Sequence, residues 1–232
     1  MVRVLAGTIL CSMILVACSS DRHRGSAPRA TQVVEPGAHS GGGLSRMNPF
    51  RIGASRRSRG RLCGTSGLEG SKLPRITDSN PQCGVDRPVQ VTRVDGVALS
   101  QPAILDCETA RALQTWVRSG VRPAVGRTGG GVVELQVAAH YVCRTRNHRP
   151  GGPVSEHGRG KAIDISGIKL ADGSEMSVLR DWSDSPYAQA LRRMHRAACG
   201  PFGTTLGPGS DGMHEDHFHY DTARHGVGPI CR

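Results

Sequence analysis

The sequence predicts a disulfide-stapled α+β domain of ordinary size, carried behind an export signal and a basic tether. Three observations predict it. Short alternating runs of the strand type meet at hairpin signals, and other stretches repeat apolar residues at helical spacing. Six cysteines (Cys63, Cys83, Cys107, Cys143, Cys199 and Cys231) lie scattered without a Cys-x-x-Cys pair. An even set of that kind reads as three disulfides in an oxidising compartment, not as a thiolate metal site. Pairing by sequence proximity gives Cys63–Cys83, Cys107–Cys143 and Cys199–Cys231.

Residues 1–17 read as a signal peptide: one cation, Arg3, then the apolar run Val4–Val16. The run is shorter than the about 20 apolar residues a membrane-spanning helix needs. Its end, Leu15-Val16-Ala17-Cys18, resembles a bacterial lipobox. That resemblance implies lipid on Cys18 and a membrane anchor through it; ordinary signal cleavage and an uncleaved anchor are the alternatives. Ser19, rather than Asp, follows the cysteine, which by the same resemblance implies the outer membrane. The expected location is then the periplasm of a Gram-negative bacterium.

Residues 18–62 are rich in Gly, Ser, Pro and Arg, with no sustained apolar period, and read as a disordered basic tether. Extended, it spans tens of ångströms, at up to about 3.3 Å per residue. The charge is concentrated here. Ser19–Leu62 holds nine arginines against Asp21 and Glu35, a balance of +7; taking that and Arg3 from the total of +11 leaves +3 from Cys63 onward. Basicity is mostly a property of the tail. With no aromatic interleaving and an export signal in front, nucleic acid is not the expected partner. Anionic lipid or cell-wall polymer suits such a tail, as does plain solvation.

The domain spans residues 63–232. Cys63–Asp86 is loop-like. Val89–Val94 and Val97–Leu99 alternate on either side of Asp95-Gly96, a two-residue hairpin signal. Asp106 is an N-cap for a helix with Ala110, Leu113, Trp116 and Val117 on its apolar face, ended by Pro123 and Gly129–Gly131. Val132–Ala138 is a strand leading into His140–Arg144. Ala162–Ser166 alternates, and Ile168–Leu170 with Met176–Val178 make a hairpin around Ala171-Asp172-Gly173. Ser185-Pro186 opens a helix that runs to Cys199 and is closed by Gly200. In Asp216–Asp221, His217, His219 and Asp221 share one strand face, and Phe218 and Tyr220 share the other. His140, His148, His195 and His225 have no motif around them and are expected at the surface.

Two stretches carry the chemistry: Ser155–Asp164 (SEHGRGKAID) and His214–Asp221 (HEDHFHYD). They supply His157, Asp164, His217 and His219, the residue types that hold catalytic zinc, which takes three protein ligands and keeps a position open. A carboxylate inside a buried strand, as Asp164 is expected to be, is costly unless paired or bound to a metal.

The pattern Ser155-x-His157-x-x-Gly160-x-Ala162-x-Asp164, followed by His217-x-His219, resembles the D-alanyl-D-alanine metallopeptidases of the VanX and VanY type. His214-x-x-His217-Phe218-His219 is similar to the penicillin-insensitive murein endopeptidase branch. Cys143-Arg144, the SEHGRGKAIDI stretch and the GPGSD…DHFHYD ending together look like the bacterial extensin-like C-terminal domain family, over roughly Cys63 to Arg232. This resemblance implies a hedgehog/DD-peptidase-like zinc fold, a central mostly antiparallel sheet flanked by helices. It implies one Zn²⁺ on His157, Asp164 and His219, with Ser155 and His214 behind them. The general base is Asp216, one methylene shorter than the Glu of the dipeptidase branch, or His217. Arg144 is the candidate for polarising the scissile carbonyl, with Arg146 as rival. The function implied is hydrolysis of peptide bonds in peptidoglycan stems or cross-links by metal-activated water. The alternative is a wall-binding or structural lipoprotein that keeps the fold and metal without turnover.

Overall fold

The structure, a computed structural model, describes residues 61–232. The signal segment, Cys18 and all of the tether up to residue 60 lie outside the described residues. In chain order the elements are β1 (Leu68–Lys72), β2 (Ile76–Thr77), β3 (Gly84–Val85), β4 (Val89–Val94), β5 (Val97–Leu105), α1 (Cys107–Trp116), α2 (Arg122–Val125), β6 (Val132–Ala139), β7 (Ala162–Leu170), β8 (Glu175–Ser177), α3 (Val178–Asp181), α4 (Ala188–Ala198), β9 (Thr204–Leu206), β10 (Phe218–Asp221) and β11 (Ile230–Cys231).

The fold is α+β. One mixed, mostly antiparallel sheet runs in the order β1-β4-β5-β6-β7-β10-β9-β11, with β8 also paired to β7, and β2 and β3 form a separate ribbon. Only the β5–β6 and β9–β11 pairs within it are parallel. The β5–β6 crossover runs through α1 and α2, as a parallel connection requires.

The Asp95-Gly96 hairpin forms as expected. Both residues have positive φ, 46° and 82°, the backbone a two-residue turn of right-handed twist demands. Asp106 caps α1, its carboxylate accepting from the Thr109 N–H at 2.7 Å. Ala110, Leu113, Trp116 and Val117 are all fully buried. Trp116 is the largest of the core side chains; its Nε1–H donates to the Met194 carbonyl at 2.7 Å, and its ring meets Tyr220 edge-on at 5.0 Å.

The stretch Cys63–Asp86, expected as loop, holds the edge strand β1 and the β2–β3 ribbon. Four further expectations need correction. The first helix does not stop at Pro123. A widened turn over Val117–Val121 follows α1, and Pro123 then sits in the first turn of α2, where its missing N–H costs nothing. Gly126, at φ 57°, is the actual stop. Second, the disulfides are Cys63–Cys107, Cys83–Cys143 and Cys199–Cys231, so two of the three proximity pairings fail. Residues 63–66 run along α1, with Arg111 donating to the Cys63 carbonyl and Gln114 to the Ser66 carbonyl, and this sets Cys63 beside the head of that helix. The Cys83 loop, in turn, lies over the segment after β6. Third, Ala162–Leu170 is one continuous strand. Fourth, His195 is buried on the inner face of α4, stacked on Phe218 at 4.9 Å. Leu191, Met194 and Ala198 share that face, so the helical spacing itself placed it there.

Candidate metal centre

Three elements build the site. Ser155 opens the single turn Glu156–Arg159, its hydroxyl accepting from the His157 N–H at 3.4 Å. Gly160 closes that turn at φ 65°, and a Cβ there would lie 2.8 Å from Val85 Cγ2. Only glycine meets both conditions. The turn is fastened by buried Glu156, which takes Arg146 at 3.3 Å and Arg159 at 3.1 Å. Asp164 and His219 are direct cross-strand partners on β7 and β10, so their side chains stand together on one face. Phe218 and Tyr220 point the other way, fully buried in the core.

His157, Asp164 and His219 thus converge, all buried, each offering one ligand atom. His157 Nε2 lies 3.1 Å from Asp164 Oδ1, His219 Nδ1 lies 2.9 Å from the same oxygen, and the two nitrogens are 3.2 Å apart. The other ring nitrogens fix the tautomers. His157 Nδ1–H donates to the His140 carbonyl at 2.8 Å, and His219 Nε2–H donates to Asp221 Oδ2 at 3.1 Å. Both facing nitrogens therefore present lone pairs to each other and to a carboxylate. Three such acceptors cannot be packed together without a cation between them. This donor set could hold a metal ion.

Without a metal, a proton must fill that role. Burial disfavours a charged His219, but hydrogen bonds to Asp164 and Asp221 overturn this and raise its pKa to about 9. Burial likewise opposes ionisation of Asp164, yet its bonds to His157 and His219 hold it well below the usual carboxylate range. A metal must displace the His219 proton wherever the pH lies below that pKa. Affinity should therefore rise with pH, about tenfold per unit from neutrality to about 9, and level off above it. Competition titrations against a chelator at several pH values measure this slope.

His217 precedes β10, on the open side of the three donors. Its Nε2 is 3.7 Å from Asp164 Oδ2, too far for a hydrogen bond, and its Nδ1–H donates to Asp216 Oδ1 at 2.7 Å. Asp216, two-thirds exposed, stands behind His217 relative to the donors. His214 packs against the His217 and His219 rings at 5.1 and 5.4 Å, its Nδ1 bonded to Asp211 at 2.6 Å. Burial lowers its pKa despite the hydrogen bond to Asp211. Glu215 is spent on the Gly209 N–H.

Arg144 lies past the end of β6 in irregular chain, not on the strand where it was expected. Arg144, Arg146, His214, His219 and Asp221 line a cleft of about 220 Å³. Arg146 is committed to Glu156, whereas Arg144, among the described residues, makes only a bond to the Thr145 carbonyl.

Two contributors escaped the sequence reading. One is the His140 carbonyl, a backbone group that no residue type announces; the His140 ring itself is partly buried, not a surface group. The other is Asp221, whose alternation with His219 on one strand face could have revealed it. Asp221→Asn should weaken metal binding about 10–100-fold while leaving the fold intact, measured by the same chelator competition.

No curated protein and no solved structure matches the chain. The family model described as extensin-like protein C-terminus matches residues 61–232, the described domain and the whole of the donor set. The chain belongs to the extensin-like C-terminal family.

Proposed function

We propose that this protein is an exported zinc peptidase that hydrolyses peptide bonds of peptidoglycan, with the hedgehog/DD-peptidase-like fold of the D-alanyl-D-alanine metallopeptidases. One observation carries the reading. Two imidazole lone pairs and a carboxylate oxygen converge within 3.2 Å, and a carboxylate–imidazole pair, Asp216–His217, faces their open side. Nitrogen and carboxylate donors with no thiolate are the set of a catalytic zinc site, not a structural one. When bound, zinc supplies Lewis acidity and lowers the pKa of a water to about 7.

The chain's own groups divide the remaining work. His217 Nε2 is the base that accepts a proton; Asp216 holds the tautomer through Nδ1–H and stabilises the imidazolium that forms. On this reading the two residues act as a pair with separate roles. Arg144, free of carboxylate partners among the described residues, faces the cleft where negative charge develops on a carbonyl oxygen. Asp221 and the His140 carbonyl hold the ligand imidazoles in place. The location that suits this activity is the periplasm, with lipid on Cys18 anchoring the protein to the outer membrane.

The test is incubation of the purified chain with intact sacculi. Release of muropeptides that chelator abolishes and zinc restores is the expected result. Stoichiometric zinc with no product would instead leave a wall-binding protein.

A further inference from the structure

A second cleft, of about 810 Å³, lies away from the three donors. Its lining is dominated by cations: Arg61, Lys72, Arg87, Arg111, Arg159 and Lys161, against Asp86, Asp106 and Glu108. The three carboxylates are all engaged. Asp86 pairs with Arg75 at 3.0 Å, Asp106 caps α1, and Glu108 pairs with Arg224 at 2.8 Å. Arg111 donates to the Cys63 carbonyl and Arg159 to Glu156. Among the described residues, no ion pair or hydrogen bond engages the side chains of Lys72, Arg87 or Lys161. The cleft therefore carries positive charge that the domain does not compensate.

Its shape and remaining surface narrow the ligand. A concave site of this volume takes a chain segment or a small molecule, and a bilayer surface cannot follow it. No aromatic side chain lines it, so it lacks the stacking platform of a single-strand nucleic-acid site. Its own tether, at +7 over Ser19–Leu62, is of like charge and does not complement it. Leu73, half-buried, adds a small apolar patch among the cations, over the buried Val85, Pro88 and Val89.

We propose that this cleft binds an extended acidic peptide, with its carboxylates on Lys72, Arg87 and Lys161 and a small apolar side chain on Leu73. The site does not depend on hydrolysis at the metal centre. The two are nonetheless joined: Ser155 and Glu156 line the metal cleft, while Arg159 and Lys161, a few residues on, line this one. A peptide-bearing polymer held here is kept beside the metal cleft.

The experiment uses the full chain and a fluorescein-labelled (Glu-Ala)₃ peptide, read by anisotropy. Binding should saturate, weaken steeply with salt, and fall about tenfold or more in the triple variant Lys72→Glu, Arg87→Glu, Lys161→Glu. The variant keeps the arginine-rich tail, so the loss reports the cleft alone. A milder Lys72→Gln, Arg87→Gln, Lys161→Gln variant should fall between the two, and unchanged metal content and disulfides verify folding. Equal binding by wild type and triple variant would overturn the proposal. So would tighter binding of oligothymidylate or of phosphatidylglycerol vesicles with the same sensitivity to the substitutions, which would assign the cleft to nucleic acid or lipid. Failure here leaves sacculus hydrolysis untouched, and the reverse also holds.

Discussion

Replacing Asp164 with alanine should take the metal content of the purified chain from one ion per molecule to none. Asp164 Oδ1 stands 3.1 Å from His157 Nε2 and 2.9 Å from His219 Nδ1, so it is the donor the other two share. Removing it leaves the two imidazoles without the oxygen they share. The fold should persist, because the three disulfides and the core around Trp116 lie in other contacts. Metal analysis after dialysis, with circular dichroism as the folding control, checks both halves. A full equivalent of metal in a folded alanine variant would place the ion somewhere else.

The second large effect concerns turnover on the proposed reading. His217→Ala should lower kcat on sacculi about 10²–10⁴-fold, the range for loss of a general base, while the chain keeps its metal. His217 is not one of the three convergent donors, and its Nε2 lies 3.7 Å from the nearest of their carboxylate oxygens. Asp216→Asn should cost less, since it removes only the group that orients the imidazole. Equal losses of metal and activity in His217→Ala would make His217 a ligand and not a base.

The parts of this fold that were legible in the sequence are those written in local chemistry. Asp95-Gly96 announces its hairpin because few residue pairs tolerate two positive φ values. Asp106 announces α1 because a carboxylate can satisfy an orphan N–H. The alternation in β7 and β10 set Asp164 on the face opposite Ile163 and Ile165, and His219 on the face opposite Phe218 and Tyr220, but gave no register between the two strands. The register is tertiary, and it is what makes the site. Proximity in sequence fails for the disulfides on the same ground: residues 63–66 lie along α1, which sets Cys63 beside Cys107, and that packing is tertiary. The widened turn after α1 depends on Gly120, where a Cβ would lie 2.8 Å from Trp116 Cδ1. Such a close approach is a property of packing and not of helical propensity. Glu156 reads as a surface residue until its two arginines are seen to close over it.

The most direct measurement is X-ray absorption at the zinc edge of the loaded full chain. The account predicts a first shell of nitrogen and oxygen only, at about 2.0–2.2 Å, with the outer-shell signature of two imidazoles. That signature should disappear in Asp164→Ala. Sulfur in the shell, at about 2.3 Å, or no stoichiometric binding at all, would contradict a centre built from His157, Asp164 and His219.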